Sequence, residues 1–140
     1  MNENCAYCAE GKLVDAFGIK IGELPASKVY LFKEQSHKGR CIVASRFHVS
    51  ELVDLPEADR NAFMADVCKV AGAIHKLFNP AKVNYGAYGD TGCHLHFHLV
   101  PKYTGEFEWG GVFEMNPKRT SLSDEEYAAL AADLKSELGL

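Results

Sequence analysis

No stretch of this chain is apolar enough to cross a membrane, and none carries a run of lysine or arginine. A bilayer-spanning helix needs about 18 consecutive apolar residues, and here charge or glycine cuts every apolar run short. Clustered cations track a nucleic-acid backbone, whereas acidic residues outnumber basic ones, 19 against 15, for a formal charge of −4. Neither a membrane partner nor polymeric nucleic acid is therefore expected. A charged leader followed by an apolar segment is also missing, so the expected location is cytoplasmic. Five cysteines are an odd number, which argues against a disulfide framework and for reduced thiols or metal ligation. Cys41, Cys68 and Cys93 stand among apolar neighbours and are expected in the core. Repeats, low-complexity tracts and linkers are absent, and 140 residues with 47% hydrophobic content suit one domain over 1–140.

What the chain does have is the alternation His94-Leu95-His96-Phe97-His98-Leu99-Val100, closed by Pro101. Period two is the signature of a half-buried strand. Leu95, Phe97 and Leu99 would face the core and the three imidazoles one site. Same-face neighbours on a strand stand roughly 6.6 Å apart, and metal–nitrogen bonds are about 2 Å long. One ion therefore bridges two of the rings at most, so the three histidines have different jobs. Clustering three titratable rings costs stability through desolvation and mutual repulsion, which makes a purely structural use of all three a poor explanation.

The rest of the chain frames that strand. Residues 28–33 and 40–45 are rich in β-branched and aromatic side chains and predict an antiparallel pair. Pro56 predicts the start of a long helix that runs to about Phe78, where Asn79-Pro80 stops it. Phe63, Val67, Val70, Ile74 and Leu77 form its apolar stripe, with Asp59, Asp66 and Lys69 expected in water. Residues 83–88 predict a further strand, and Gly89-Asp90-Thr91-Gly92 a turn into the histidine strand. Residues 103–117, with Trp109, predict an ordered loop. Ser123 and Glu126 form a capping box that opens a final helix. His37 and His75 are expected to be exposed. The fold class is α+β: a twisted antiparallel sheet with one long helix packed on it and a C-terminal helix.

Near the N-terminus stands Cys5-Ala6-Tyr7-Cys8, a Cys-x-x-Cys that suits half of a zinc site, a redox pair, or two incidental thiols. An imidazole can attack an electrophile, move a proton or ligate a metal, so the three rings suit phosphoryl or metal chemistry.

The His-x-His-x-His pattern in this setting resembles the histidine triad (HIT) superfamily of nucleotide hydrolases and transferases, in its zinc-containing bacterial form. The resemblance extends over a core of about 3–102, leaving 103–140 as a C-terminal loop and helix. It implies that His96 attacks the α-phosphorus of a nucleotide and forms a nucleotidyl-histidine that water hydrolyses. It further implies that His98 contacts the phosphate and assists the leaving group, and that Asn84, Asp90 and Thr91 occupy nucleotide-binding positions. Asp90 stands where the family often has Gln, and a carboxylate beside phosphate is repulsive unless turned away. Trp109, beyond the matching region, is a candidate for stacking on a base. Zinc-containing members hold a structural Zn²⁺ through positions that correspond to Cys5, Cys8, His48 and His94. Four protein ligands leave no open position for water. The third histidine is Gln in the branch that resembles hexose-1-phosphate uridylyltransferases, so His98 favours hydrolysis over transfer. The expected function is hydrolysis of a nucleoside phosphoramidate or a dinucleoside polyphosphate, and the expected assembly a homodimer. A zinc-stabilised module that binds nucleotide without catalysis is the alternative.

Overall fold

The computed structural model describes residues 2–140. Its centre is a five-stranded antiparallel sheet made of β1 (Gly18–Leu24), β2 (Ser27–Phe32), β3 (Cys41–Ser45), β4 (Lys82–Gly86) and β5 (His96–Lys102). The spatial order is β1-β2-β3-β5-β4, which puts the histidine strand inside the sheet between β3 and β4. Two short helices, α1 (Ala6–Ala9) and α2 (Lys12–Asp15), precede the sheet, α3 (Glu57–Phe78) connects β3 to β4, and α4 (Asp124–Leu138) closes the chain. The expected α+β architecture is the one observed.

Period-two alternation divides the sheet into two different faces. Val29, Leu31, Val43 and Leu99 are fully buried against Phe63, Val67, Val70 and Ile74 of α3 and Leu134 of α4. Burying a side chain of this size stabilises by about 1.5–3 kcal/mol, so this face holds most of the apolar stabilisation. The opposite face carries a smaller cluster of Tyr30, Phe32, Ile42 and Ala44, covered by Cys5, Tyr7 and Val14 of the N-terminal segment. Register fixes the histidines to this second face, because Ala44 pairs with His96 and Ile42 with His98. The face that α3 does not cover is therefore the one that carries the imidazoles.

Local chemistry explains the element ends. Glu57 and Asp59 lie in the first turn of α3 and His75 and Lys76 in its last, which complements the helix dipole. Asn79 caps α3 in the left-handed conformation, φ 50°. At α4 the Ser123–Glu126 capping box forms in both directions.

The structure departs from several sequence expectations. The strand begins at His96, with His94 in a bend before it, and continues through Pro101 to Lys102. Proline is accommodated there because β3 pairs no further than Leu99, leaving Pro101 with β4 alone. Strand β1 was not expected: Gly18, Gly22, Lys20 and Glu23 obscure its alternation, and a register shift between Lys20 and Gly22 breaks it. Asp66 is buried, not solvated, and accepts hydrogen bonds from Ala26 N at 2.8 Å and Ser27 Oγ at 2.7 Å. It ties α3 to the β1–β2 turn. Cys41 is buried, whereas Cys68 and Cys93 are exposed, one on the outer side of α3 and the other in the turn before the histidines. His37 is buried because its ring meets Glu108, Nε2 to Oε1 at 2.6 Å, and lies 5.2 Å from the Phe107 ring. His75 is exposed, as expected.

Candidate functional site

Each of the three histidines is held differently, and the hydrogen bonds assign their ring nitrogens. His94 Nε2 lies 2.8 Å from Ser45 O, and a carbonyl only accepts, so Nε2 carries the proton and Nδ1 the lone pair. That Nδ1 stands 3.3 Å from Cys5 Sγ, 3.6 Å from Cys8 Sγ and 3.1 Å from His48 Nδ1. Cys8 Sγ is in turn 3.3 Å from His48 Nδ1. All four ligand atoms lie within 4.8 Å of one another. Tetrahedral zinc with bonds of about 2.1 Å to nitrogen and about 2.3 Å to sulfur has N···N and N···S edges of about 3.4 and about 3.6 Å. The spacings and the Cys₂His₂ donor set fit Zn²⁺. Burial lowers the pKa of His94, which keeps its ring neutral, as a ligand must be.

His96 has the reverse arrangement. Its Nδ1 donates to His94 O at 2.6 Å, so the free lone pair is on Nε2. Burial lowers its pKa as well, so the ring is a neutral imidazole and not an imidazolium. It lines a cavity of about 490 Å³ with Tyr7, Phe17, Tyr88, Asp90 and Thr91. Gly89, at φ +118°, lies beside the ring: a Cβ there would stand 3.8 Å from His96 Cε1. The backbone of the 89–92 turn thus comes close to the His96 ring in a conformation that favours glycine.

His98 is buried, edge-on to His96 with ring centroids 5.4 Å apart. Its Nδ1 meets Nη2 of Arg40 at 3.0 Å. Burial, then the Arg40 charge, then His96 push its pKa down to about 3. The ring is neutral across the physiological range.

Of the residues expected at the site, Cys5, Cys8, His48 and His94 converge in one cluster, and His96, Asp90 and Thr91 share the cavity. Asn84 pairs with Val100 on the histidine face of the sheet, but does not line that cavity. Trp109 does not line it either. It is 43% exposed on the 103–117 segment, which the buried Lys102 holds through Glu108 O and Gly111 O, both at 2.8 Å. Phe17 also borders a second cavity of about 400 Å³ with Phe32, Lys33, Glu34 and Arg119.

Two further residues went unnoticed in the sequence. Tyr7, inside the Cys-x-x-Cys, packs on the His94 and His96 rings at 5.2 and 4.9 Å. Arg40, a residue with no exposed surface, stacks on Phe32 at 4.2 Å and Phe113 at 5.1 Å. Its position two residues before Ile42, in step with the histidine face, was the available signal.

Comparison with known proteins agrees with this geometry. The chain is 25% identical over 144 residues to an adenosine 5'-monophosphoramidase, hnt1, of Schizosaccharomyces pombe, covering 96% of this chain and 98% of that protein. A histidine triad protein of Bradyrhizobium japonicum has the same fold, with TM-score 0.83 and 22% identity over 91% of this chain and 96% of the other. A zinc-bound histidine triad family protein of Mycobacterium smegmatis matches with TM-score 0.67 and 22% identity over 97% and 94%. Because the HIT domain pattern itself matches residues 18–105, across the sheet, α3 and all three histidines, the chain belongs to the HIT domain family.

Proposed function

We propose that this protein hydrolyses a nucleotide at its α-phosphorus, with His96 as the nucleophile and a nucleoside phosphoramidate or a dinucleoside polyphosphate as substrate. The observation that carries this reading is the His96 ring itself: neutral, bordering the cavity, and fixed through Nδ1 so that Nε2 keeps its lone pair. Nε2 attacks phosphorus, the bond to the leaving group breaks, and a cationic nucleotidyl-histidine forms whose Nδ1–H stays bonded to His94 O. A polyphosphate leaves as its anion, and an amine takes a proton from solvent as it departs. Water then attacks phosphorus, loses a proton, and releases the nucleoside monophosphate with the neutral ring restored. His98, neutral, serves as a hydrogen-bond donor to the phosphate or leaving atom and not as a strong acid. Thr91 and the 89–92 backbone supply further donors to phosphate oxygens. The second cavity, across Phe17, gives the nucleoside a place beside the phosphate.

Cys5, Cys8, His48 and His94 would hold Zn²⁺, whose contribution is to fasten α1 to the sheet, since four protein donors leave no site for water. The family is one of nucleotide hydrolases, and the fission yeast relative is a monophosphoramidase, which favours the phosphoramidate among the two substrates. Thiols kept as ligands suit a reducing compartment, the cytoplasm. A second copy of the chain is the proposed partner, joined along β4, which ends the sheet with its outer edge unpaired. Sedimentation at micromolar concentration tests that assembly.

The test of the central claim is a rapid quench with labelled adenosine phosphoramidate followed by peptide mass analysis. The expected result is a nucleotidyl group on His96 that disappears in His96→Ala, and an adduct on any other residue refutes the assignment.

A further inference from the structure

We propose that Arg40 is a positioning residue for this reaction: its guanidinium sets the tautomer of His98 and ties the 113–115 segment over the same ring. The inference rests on the proposed role of His98 as a donor to the phosphate or leaving atom, and it states what makes His98 a donor.

The argument begins with what an arginine can do. Its guanidinium has five N–H groups and no lone pair to offer, so it only donates. The contact between Arg40 Nη2 and His98 Nδ1, 3.0 Å long, therefore requires the lone pair on Nδ1 and the proton on Nε2. A doubly protonated His98 would aim Nδ1–H at a cation, and the other neutral tautomer would do the same. Only one of three protonation states of the ring suits its neighbour. That state leaves Nε2–H as the free donor, next to a His96 ring whose free nitrogen is an acceptor.

The same guanidinium reaches in a second direction. Nη1 donates to Glu114 O at 3.2 Å and Nη2 to Met115 O at 2.8 Å. Met115 lines the cavity with His96, and Phe113, like Phe32, packs on the guanidinium, with its ring 6.4 Å from that of His98. One side chain thereby orders both the imidazole and the segment that covers it. Within the segment 113–115 there is no helix or strand, and the bonds to Arg40 hold it together with the Glu114 N–H bond to Glu108 Oε2, 2.9 Å.

The cost of this arrangement points away from a merely structural use. Burying a guanidinium costs several kcal/mol unless an anion compensates. Among the described residues no ion pair involves Arg40, and its Nε has no hydrogen-bond partner. Glu34 and Glu108 act on the guanidinium only from beyond ion-pair distance, so a cation with no paired carboxylate stands behind the ring that is to meet an anionic phosphate. A fixed positive charge aimed through a neutral donor stabilises negative charge at the reacting centre without the reorganisation that solvent would need.

The experiment compares wild type, Arg40→Lys, Arg40→Met and His98→Ala, each loaded with zinc. Long-range ¹H–¹⁵N correlation spectra of the free proteins report the His98 tautomer without any turnover, so this readout stands even if no nucleotide is hydrolysed. The expected wild-type signature is Nε2–H alone. Arg40→Lys keeps a donor and is expected to keep that signature, whereas Arg40→Met is expected to give a mixture of tautomers. If Arg40→Met does not fold, Arg40→Gln, whose amide offers both donor and acceptor, takes its place with the same expected mixture. In steady state, loss of the tautomer is expected to lower kcat about 100-fold with KM changed less than about threefold. Placed in the His98→Ala background, Arg40→Met is expected to cost little more, because both changes remove one interaction. A pure Nε2–H signature in Arg40→Met, or full multiplicative losses in the double variant, overturns the proposal. Activity that is absent in every protein while the tautomer follows Arg40 sinks the hydrolase reading and leaves only the control of the His98 tautomer by Arg40 standing.

Discussion

Replacing Asp66 with alanine is expected to destabilise the protein by about 3 kcal/mol while sparing the site. The carboxylate is buried on α3 and accepts from Ala26 N and Ser27 Oγ. Hydrogen bonds to a charged group are worth about 1.5–3 kcal/mol each, so the two together are worth about 3–6 kcal/mol. The Ser27 hydroxyl can rotate to another acceptor once the carboxylate is gone, but the Ala26 N–H cannot, which brings the expected loss to the lower end of that range. A domain with a typical stability of about 5–15 kcal/mol survives this, so Asp66→Ala remains folded and measurable. Urea unfolding followed by circular dichroism is the assay, with an unchanged m-value as the check that only stability moved. Ser27→Ala should cost about 1 kcal/mol, and Asp66→Asn, which keeps an oxygen acceptor without charge, should fall between the two. Because the pair lies on the α3 side of the sheet, nucleotide affinity of the folded variant should be unaltered. A loss below about 0.5 kcal/mol, the size expected of an exposed substitution, would show that Asp66 is solvated and refute the reasoning.

Other outcomes follow from the same geometry. Chelation of the proposed zinc should free the N-terminal segment while leaving the α3-covered face folded, seen as hydrogen exchange in residues 4–9 with protection retained in β2 and β3. Gly39→Ala should destabilise by about 2–4 kcal/mol in thermal unfolding, from left-handed strain and overpacking, since φ is +94° and the new Cβ would lie 2.4 Å from Phe78 Cδ2. His98 titrates near its usual 6.5 when unfolded and at about 3 when folded, so the unfolded state binds more protons between those values. Stability is full above 6.5 and falls with acidification towards pH 3, by up to about 1.4 kcal/mol per pH unit for this one ring, and His98→Asn should reduce that slope.

The face of the sheet that carries the chemistry was legible in the sequence because alternation of histidine with Leu95, Phe97 and Leu99 leaves a strand no other arrangement. Helix α3 was legible through its stripe and through Pro56 and Asn79. Where the sequence misled, local pattern and tertiary partner disagreed. Asp66 and His37 look like surface residues until Ala26, Ser27 and Glu108, none of them nearby in the chain, provide their hydrogen bonds. Cys68 lies among apolar neighbours in the sequence, yet helical geometry turns it outward. Strand β1 was illegible because two glycines and a bulge interrupt its period. Tyr7 and Arg40 were passed over for a different reason: each contacts histidines about 90 and 58 positions away, respectively, and no local pattern encodes such a contact.

Tyr7 has a practical consequence for anyone who handles this protein. One wall of the cavity beside His96 is supplied by Asn4, Cys5, Ala6 and Tyr7, a portion of chain that is routinely trimmed or fused to an affinity tag. Shortening it by as few as eight residues would remove both sulfur donors together with that wall. Recombinant work on this protein is better served by a carboxy-terminal tag.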